Sequence, residues 1–63
     1  MNTTQNPIAV TDVTVGDIVW MAGAWRRIVD TYTVSDGAGH DVTILKSEHA
    51  ARRYPAGATI ELL

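Results

Sequence analysis

Val15-Gly16-Asp17-Ile18-Val19-Trp20-Met21-Ala22-Gly23-Ala24-Trp25-Arg26-Arg27-Ile28-Val29 is the stretch that decides the fold. Gly16-Asp17 turns the chain into a short apolar run. A small-residue turn at Ala22-Gly23 follows, and a longer run returns along the first, which is the pattern of a β-hairpin. Period-two alternation places Ile18 and Trp20 on one face, Val19 and Met21 on the other. With no phenylalanine in the chain, Trp20 between Ile18 and Ile28 is the expected bulky core residue. Val19 and Met21 are then expected outside. A type I′ turn would hold Ala22 at positive φ, so the reading favours a type I turn over Met21-Ala22 with Gly23 left-handed.

The returning strand is expected to run from Trp25 to Val34, rich in β-branched and aromatic residues. Ile28, Tyr32 and Val34 share one face, and Trp25 and Val29 the other. Burying both Trp25 and Ile28 calls for a bulge at Arg26-Arg27, which would also bend the strand. Ser35 to Gly39 reads as a glycine-bearing hairpin loop. His40 to Lys46 is the next strand, with Val42 and Ile44 inward and Asp41, Thr43 and Leu45 outward. Ser47 to Tyr54 is expected to form one or two helical turns, N-capped by Ser47 and stopped by Pro55. Thr59 to Leu63 is the last strand, with Ile60 and Leu62 on one face. Upstream, Ile8 to Val10 is a short strand, and residues 1–7 read as a disordered tail. The two short terminal strands are expected to offer sheet edges.

This order is similar to that of the SH3-like barrels, and the likeness spans residues 8–63. It rests on Val15-Gly16-Asp17-Ile18-Val19, Gly23-Ala24-Trp25-Arg26-Arg27-Ile28, Asp36-Gly37 before Val42-Thr43-Ile44, and Pro55-Ala56-Gly57 before Thr59-Ile60-Glu61-Leu62. The chain resembles small bacterial and phage proteins with a V-G-D-x-V start and a W-x-x-I second strand. The resemblance implies an all-β, five-stranded SH3-like barrel with one short helical or 3-10 turn before the last strand. That fold hosts peptide binders, nucleic-acid binders and assembly pieces, so it assigns no function.

At 63 residues the chain is one domain with a small core, and folding should leave only about 3–5 kcal/mol of net stability. There is no cysteine, so neither a disulfide nor a thiolate metal site is available. No apolar run approaches the roughly 20 residues that cross a bilayer, so no membrane association is expected. Met1 to Pro7 has the features of neither a secretion signal nor a transit peptide, and the expected location is the cytoplasm. Arginine outnumbers lysine four to one, a bias of high-GC coding such as that of actinobacteria and their viruses.

The formal charge of −2 argues against a chain built to coat nucleic acid. The five cations are Arg26, Arg27, Lys46, Arg52 and Arg53. In the expected barrel Lys46, Arg52 and Arg53 approach one another, and Tyr54 or Trp25 could stack a base beside them. Balanced by Asp30, Asp41 and Glu48, the same residues read as a solvated face. Trp20 and Trp25, on facing arms of one hairpin, could instead form an exposed aromatic platform.

Catalytic and metal signatures are weak. His40, Asp41, Glu48 and His49 are the only divalent-metal set, and their spacing fits no ligand motif. No serine or threonine has a base and an orienting group beside it, and Gly37-Ala38-Gly39 lacks the helix that a phosphate cradle needs. The reading is a non-enzymatic binding module without cofactor or metal, acting on a protein partner or in assembly, self-association included. The alternative is nucleic-acid binding. The candidate binding residues in either case are Trp25, Arg26, Arg27, Lys46, Arg52, Arg53 and Tyr54.

Overall fold

The computed structural model describes residues 6–63. These residues are all-β: β1 (Asn6–Ala9), β2 (Ile18–Met21), β3 (Ala24–Arg27), β4 (Asp30–Ser35), β5 (Asp41–Lys46), β6 (Ala51–Pro55) and β7 (Thr59–Leu62). They form two sheets, ordered β1-β7-β2-β3 and β4-β5-β6. The described residues therefore hold seven strands in two open sheets, not five in a closed barrel. Every pairing is antiparallel.

The expected strand from Trp25 to Val34 exists as a path but is cut at Ile28-Val29. Ile28 turns its backbone to the β1–β2 connection: its N–H donates to the Asp17 carbonyl (2.8 Å), and its carbonyl accepts the Gly16 N–H (2.9 Å). One residue later, the Val29 N–H donates to the Lys46 carbonyl (2.7 Å), and Asp30 also pairs with Lys46. Two residues against one is the count of a β-bulge. The bulge expected at Arg26-Arg27 is absent, since these residues pair in unbroken register with Val19 and Ile18; the bulge lies instead at Val29-Asp30, where the chain passes from one sheet to the other.

Among the described residues the single 3-10 turn is Val10–Asp12, ahead of β2, not ahead of the last strand. Val10 belongs to this turn and is fully buried, its N–H donating to the Ala58 carbonyl (3.0 Å). The helical turns expected over Ser47 to Tyr54 are instead a tight turn followed by β6. The Ser47 N–H donates to the Ala50 carbonyl (2.7 Å), and the Ser47 hydroxyl accepts the Ala50 N–H (3.1 Å). A helix N-cap and a tight turn use the same serine bond to the third residue on, which is why Ser47 resembles a cap although no helix follows it. The tail expected over residues 1–7 lies outside the described residues for 1–5. Asn6 and Pro7 pair with Leu62 and Glu61. Because β7 is paired on both sides, by β1 and β2, it offers no edge.

The core is Val10, Val13, Val19, Met21, Ile28, Leu45 and Ile60, with Ile8, Ala50, Tyr54, Ala58 and Leu62 packed against it. Two strand phases are the reverse of the expected ones. Val19 and Met21 are buried while Trp20 is 47% exposed, and Thr43 and Leu45 are buried while Val42 and Ile44 lie on the outer face. Aliphatic side chains close the space between the sheets without either tryptophan. The Thr43 hydroxyl is satisfied inside by that of Thr33 (2.9 Å), as a buried polar group requires.

The β2–β3 turn also departs from expectation. Met21 pairs with Ala24, leaving a two-residue loop in which Ala22 (φ 54°) and Gly23 (φ 83°) are both left-handed. That is the type I′ signature, whose twist matches the flanking strands. Arg26 holds it, donating from Nε to the Met21 carbonyl (2.9 Å) and from Nη2 to the Ala22 carbonyl (3.2 Å). Ala22→Asn creates the preferred Asn-Gly pair and should raise stability by about 0.5–1 kcal/mol in urea unfolding. An unchanged or lower midpoint would contradict this turn.

Candidate functional site

The outer face of the four-stranded sheet carries the candidate site. Trp20 pairs directly with Trp25, and Ile18 with Arg27. Both pairs point away from Val19 and Met21, because neighbours along a strand alternate. The tryptophan rings meet edge to face, centroids 5.4 Å apart at 77°. This is a favoured geometry for two aromatic quadrupoles. Trp20 is 47% exposed and Trp25 half-buried. Leu63, 56% exposed, is held beside Ile18 by its N–H donating to the Ile18 carbonyl (2.9 Å).

A cleft of about 290 Å³ adjoins this face, lined by Trp25, Arg26, Arg27, Ser47, Glu48 and His49. The β5–β6 turn brings Glu48 and His49 there, opposite β3. The cleft offers one aromatic wall, the exposed Arg27 cation, a carboxylate and an imidazole. That mixture suits the polar rim of a protein contact better than the apolar enclosure of a small-molecule site.

The other predicted site residues are scattered. Arg26 is committed to the two turn carbonyls. Arg52 and Arg53 are neighbours on β6 and so point to opposite faces of the three-stranded sheet. Arg53 pairs with Ile44 on the outer face, while Arg52 pairs with Leu45 on the inner one. Lys46 lies with its ammonium 6.0 Å from the Tyr32 ring centroid, on the same outer face as Arg53. Tyr54 is half-buried against the core. Burial pushes its phenol above the usual value, opposed by the charge of Arg52. The expected cluster of Lys46, Arg52, Arg53 and Tyr54 is therefore divided between two faces.

Among the described residues no three His, Asp or Glu side chains converge to hold a metal. His40 sits 3.5 Å from Asp36 within the β4–β5 loop, and His49 lies 3.9 Å from Glu48 in the β5–β6 turn. The Ala38 N–H, donating to Asp36 Oδ1 (2.8 Å), is the main force holding the Asp36 carboxyl below its ordinary pKa. That bond shapes the loop and implies no chemistry.

Sequence reasoning favoured a core place for Trp20, with the exposed platform as the alternative, and did not single out Leu63 as a surface residue. Strand β2 is apolar on both faces, so alternation alone does not say which face is inside. No helix is long and apolar enough to cross a membrane among the described residues. Comparison with protein families, with curated proteins and with solved structures finds no match.

Proposed function

We propose that this protein is a non-enzymatic binding module that engages a protein partner, or an assembly, through the outer face of β2 and β3. The observation that carries this reading is the Trp20–Trp25 pair. The chain's only two tryptophans stand together on a surface, fixed edge to face, with Ile18 and Leu63 beside them. Aromatic residues with arginine at the margin are enriched where protein interfaces concentrate their energy, and Arg27 supplies that margin here.

The path of the chain supports an opened relative of the SH3-like barrels: a β2–β3 hairpin, a bend, the β4–β5–β6 meander, and β7 returning beside β2. The alternative, nucleic-acid binding, has less support. A phosphate track needs clustered cations, and the five here are spread over separate faces or committed to a turn.

Affinity capture from a host lysate, with and without nuclease, tests the reading. The expected result is a nuclease-resistant protein partner, lost when Trp20 and Trp25 are replaced by serine. Capture abolished by nuclease and unaffected by those substitutions would overturn it.

A further inference from the structure

We propose that the open edge of β4 pairs antiparallel with β4 of a second copy of this chain, about a two-fold axis at Thr33. This surface is separate from the tryptophan face, and the inference does not rest on the function proposed there.

The strand orders leave four edges among the described residues: β1 and β3 in one sheet, β4 and β6 in the other. Natural sheets guard their edges with charge or proline. Three of these four are so guarded. Strand β1 carries Pro7, β3 carries Arg26 and Arg27, and β6 carries Arg52, Arg53 and Pro55. Strand β4 has no guard between Thr31 and Ser35. That stretch is Thr-Tyr-Thr-Val-Ser, without a charge or a proline, and five of the six β4 residues are exposed.

The ladder phase shows which backbone groups are free to pair. The Asp36 N–H donates to the His40 carbonyl (2.8 Å), so that pair is a hydrogen-bonded one. Stepping back by two, Val34 and Tyr32 exchange bonds with Val42 and Ile44. Thr33 then faces Thr43 in a non-bonded pair, where side chains approach most closely, and their hydroxyls lie 2.9 Å apart. The N–H and C=O groups of Thr31, Thr33 and Ser35 therefore point out of the sheet.

A second β4 centred on Thr33 meets all of them. Thr33 pairs with its own copy and Thr31 with Ser35 of the second copy. On the outer face Tyr32 lies opposite Val34 of the second copy, and the symmetry repeats the contact. Both side chains are 44% exposed in the single chain. Aromatic against β-branched is a favourable cross-strand pair, and here it occurs twice in one register. The product is a continuous six-stranded sheet. The same register sets Asp30 opposite Asp36 of the second copy, so added salt should tighten the dimer by screening.

Two readouts on the full chain test this. Sedimentation equilibrium from micromolar to millimolar should show mass rising from 6.8 kDa toward twice that value. Residue-resolved amide exchange at the two extremes should show Thr31, Thr33 and Ser35 slowing by about tenfold or more at high concentration, while Tyr32 and Val34 are protected at both. Val34→Lys, on an exposed position, should weaken dimerisation by about tenfold or more and leave the circular dichroism spectrum unchanged. A single-chain mass at millimolar concentration would overturn the proposal. So would fast exchange at Thr31, Thr33 and Ser35 in a dimer, or a dimer abolished by Trp20→Ser and Trp25→Ser but indifferent to Val34→Lys.

Discussion

Leu45→Ala is expected to unfold most of the protein at room temperature, whereas Ile44→Ala leaves it folded. Leu45 is fully buried and is the one side chain from β4, β5 or β6 among the seven buried hydrophobic residues of the core. Truncating such a residue removes its transfer free energy and leaves a cavity, together about 2–5 kcal/mol. A chain of this size holds only about 3–5 kcal/mol in total, so the loss is comparable with the whole. Ile44 lies on the outer face between Tyr32 and Arg53 and is only partly buried. Its truncation should cost about 1 kcal/mol or less. Urea unfolding followed by circular dichroism compares the two. Equal losses, or a larger one at Ile44, would mean that β5 presents its other face to the core.

Replacing Trp20 and Trp25 by serine should have the opposite signature, with binding lost and the fold kept. Each substitution breaks an edge-to-face contact worth about 0.5–1.5 kcal/mol, a tolerable reduction. Against a partner seated on this face each should cost about 2 kcal/mol or more, close to thirtyfold in affinity. Circular dichroism on the free variants and titration against the captured partner separate the two effects. Unfolding of Trp20→Ser would place that ring in the core. Undiminished affinity in both variants would move the binding site elsewhere.

Much of the fold was legible in the residues, and the failures have identifiable causes. The turn at Gly16-Asp17 is present, with Asp17 Oδ2 accepting the Thr14 N–H (2.9 Å), because only a residue without a side chain adopts the φ of 99° at Gly16 easily. The hairpin carrying both tryptophans pairs Trp20 with Trp25. Strand phase was not legible. Both β2 and β5 have apolar residues on each face, and a period of two cannot choose between two apolar faces. Tertiary closure chose Val19, Met21 and Leu45. The strand at Ala51–Pro55 was hidden because Ser47 bonds to Ala50 in a manner that also starts helices. The basic cluster failed for a related reason. A helical turn would group Arg52 and Arg53, but a strand sends them to opposite faces. Ala22 tolerates a left-handed φ because the two-residue loop and the Arg26 guanidinium fix it there, and a single residue's preference does not reveal that.

The central claim is that Trp20 faces water while aliphatic side chains fill the interior. Iodide quenching of the native Trp25→Phe protein, in which Trp20 is the sole tryptophan, tests it most directly. With Trp20 47% exposed, quenching should already be strong in the folded state and rise only modestly, about twofold, on unfolding. A native Trp20 shielded from iodide until the chain unfolds would contradict the account.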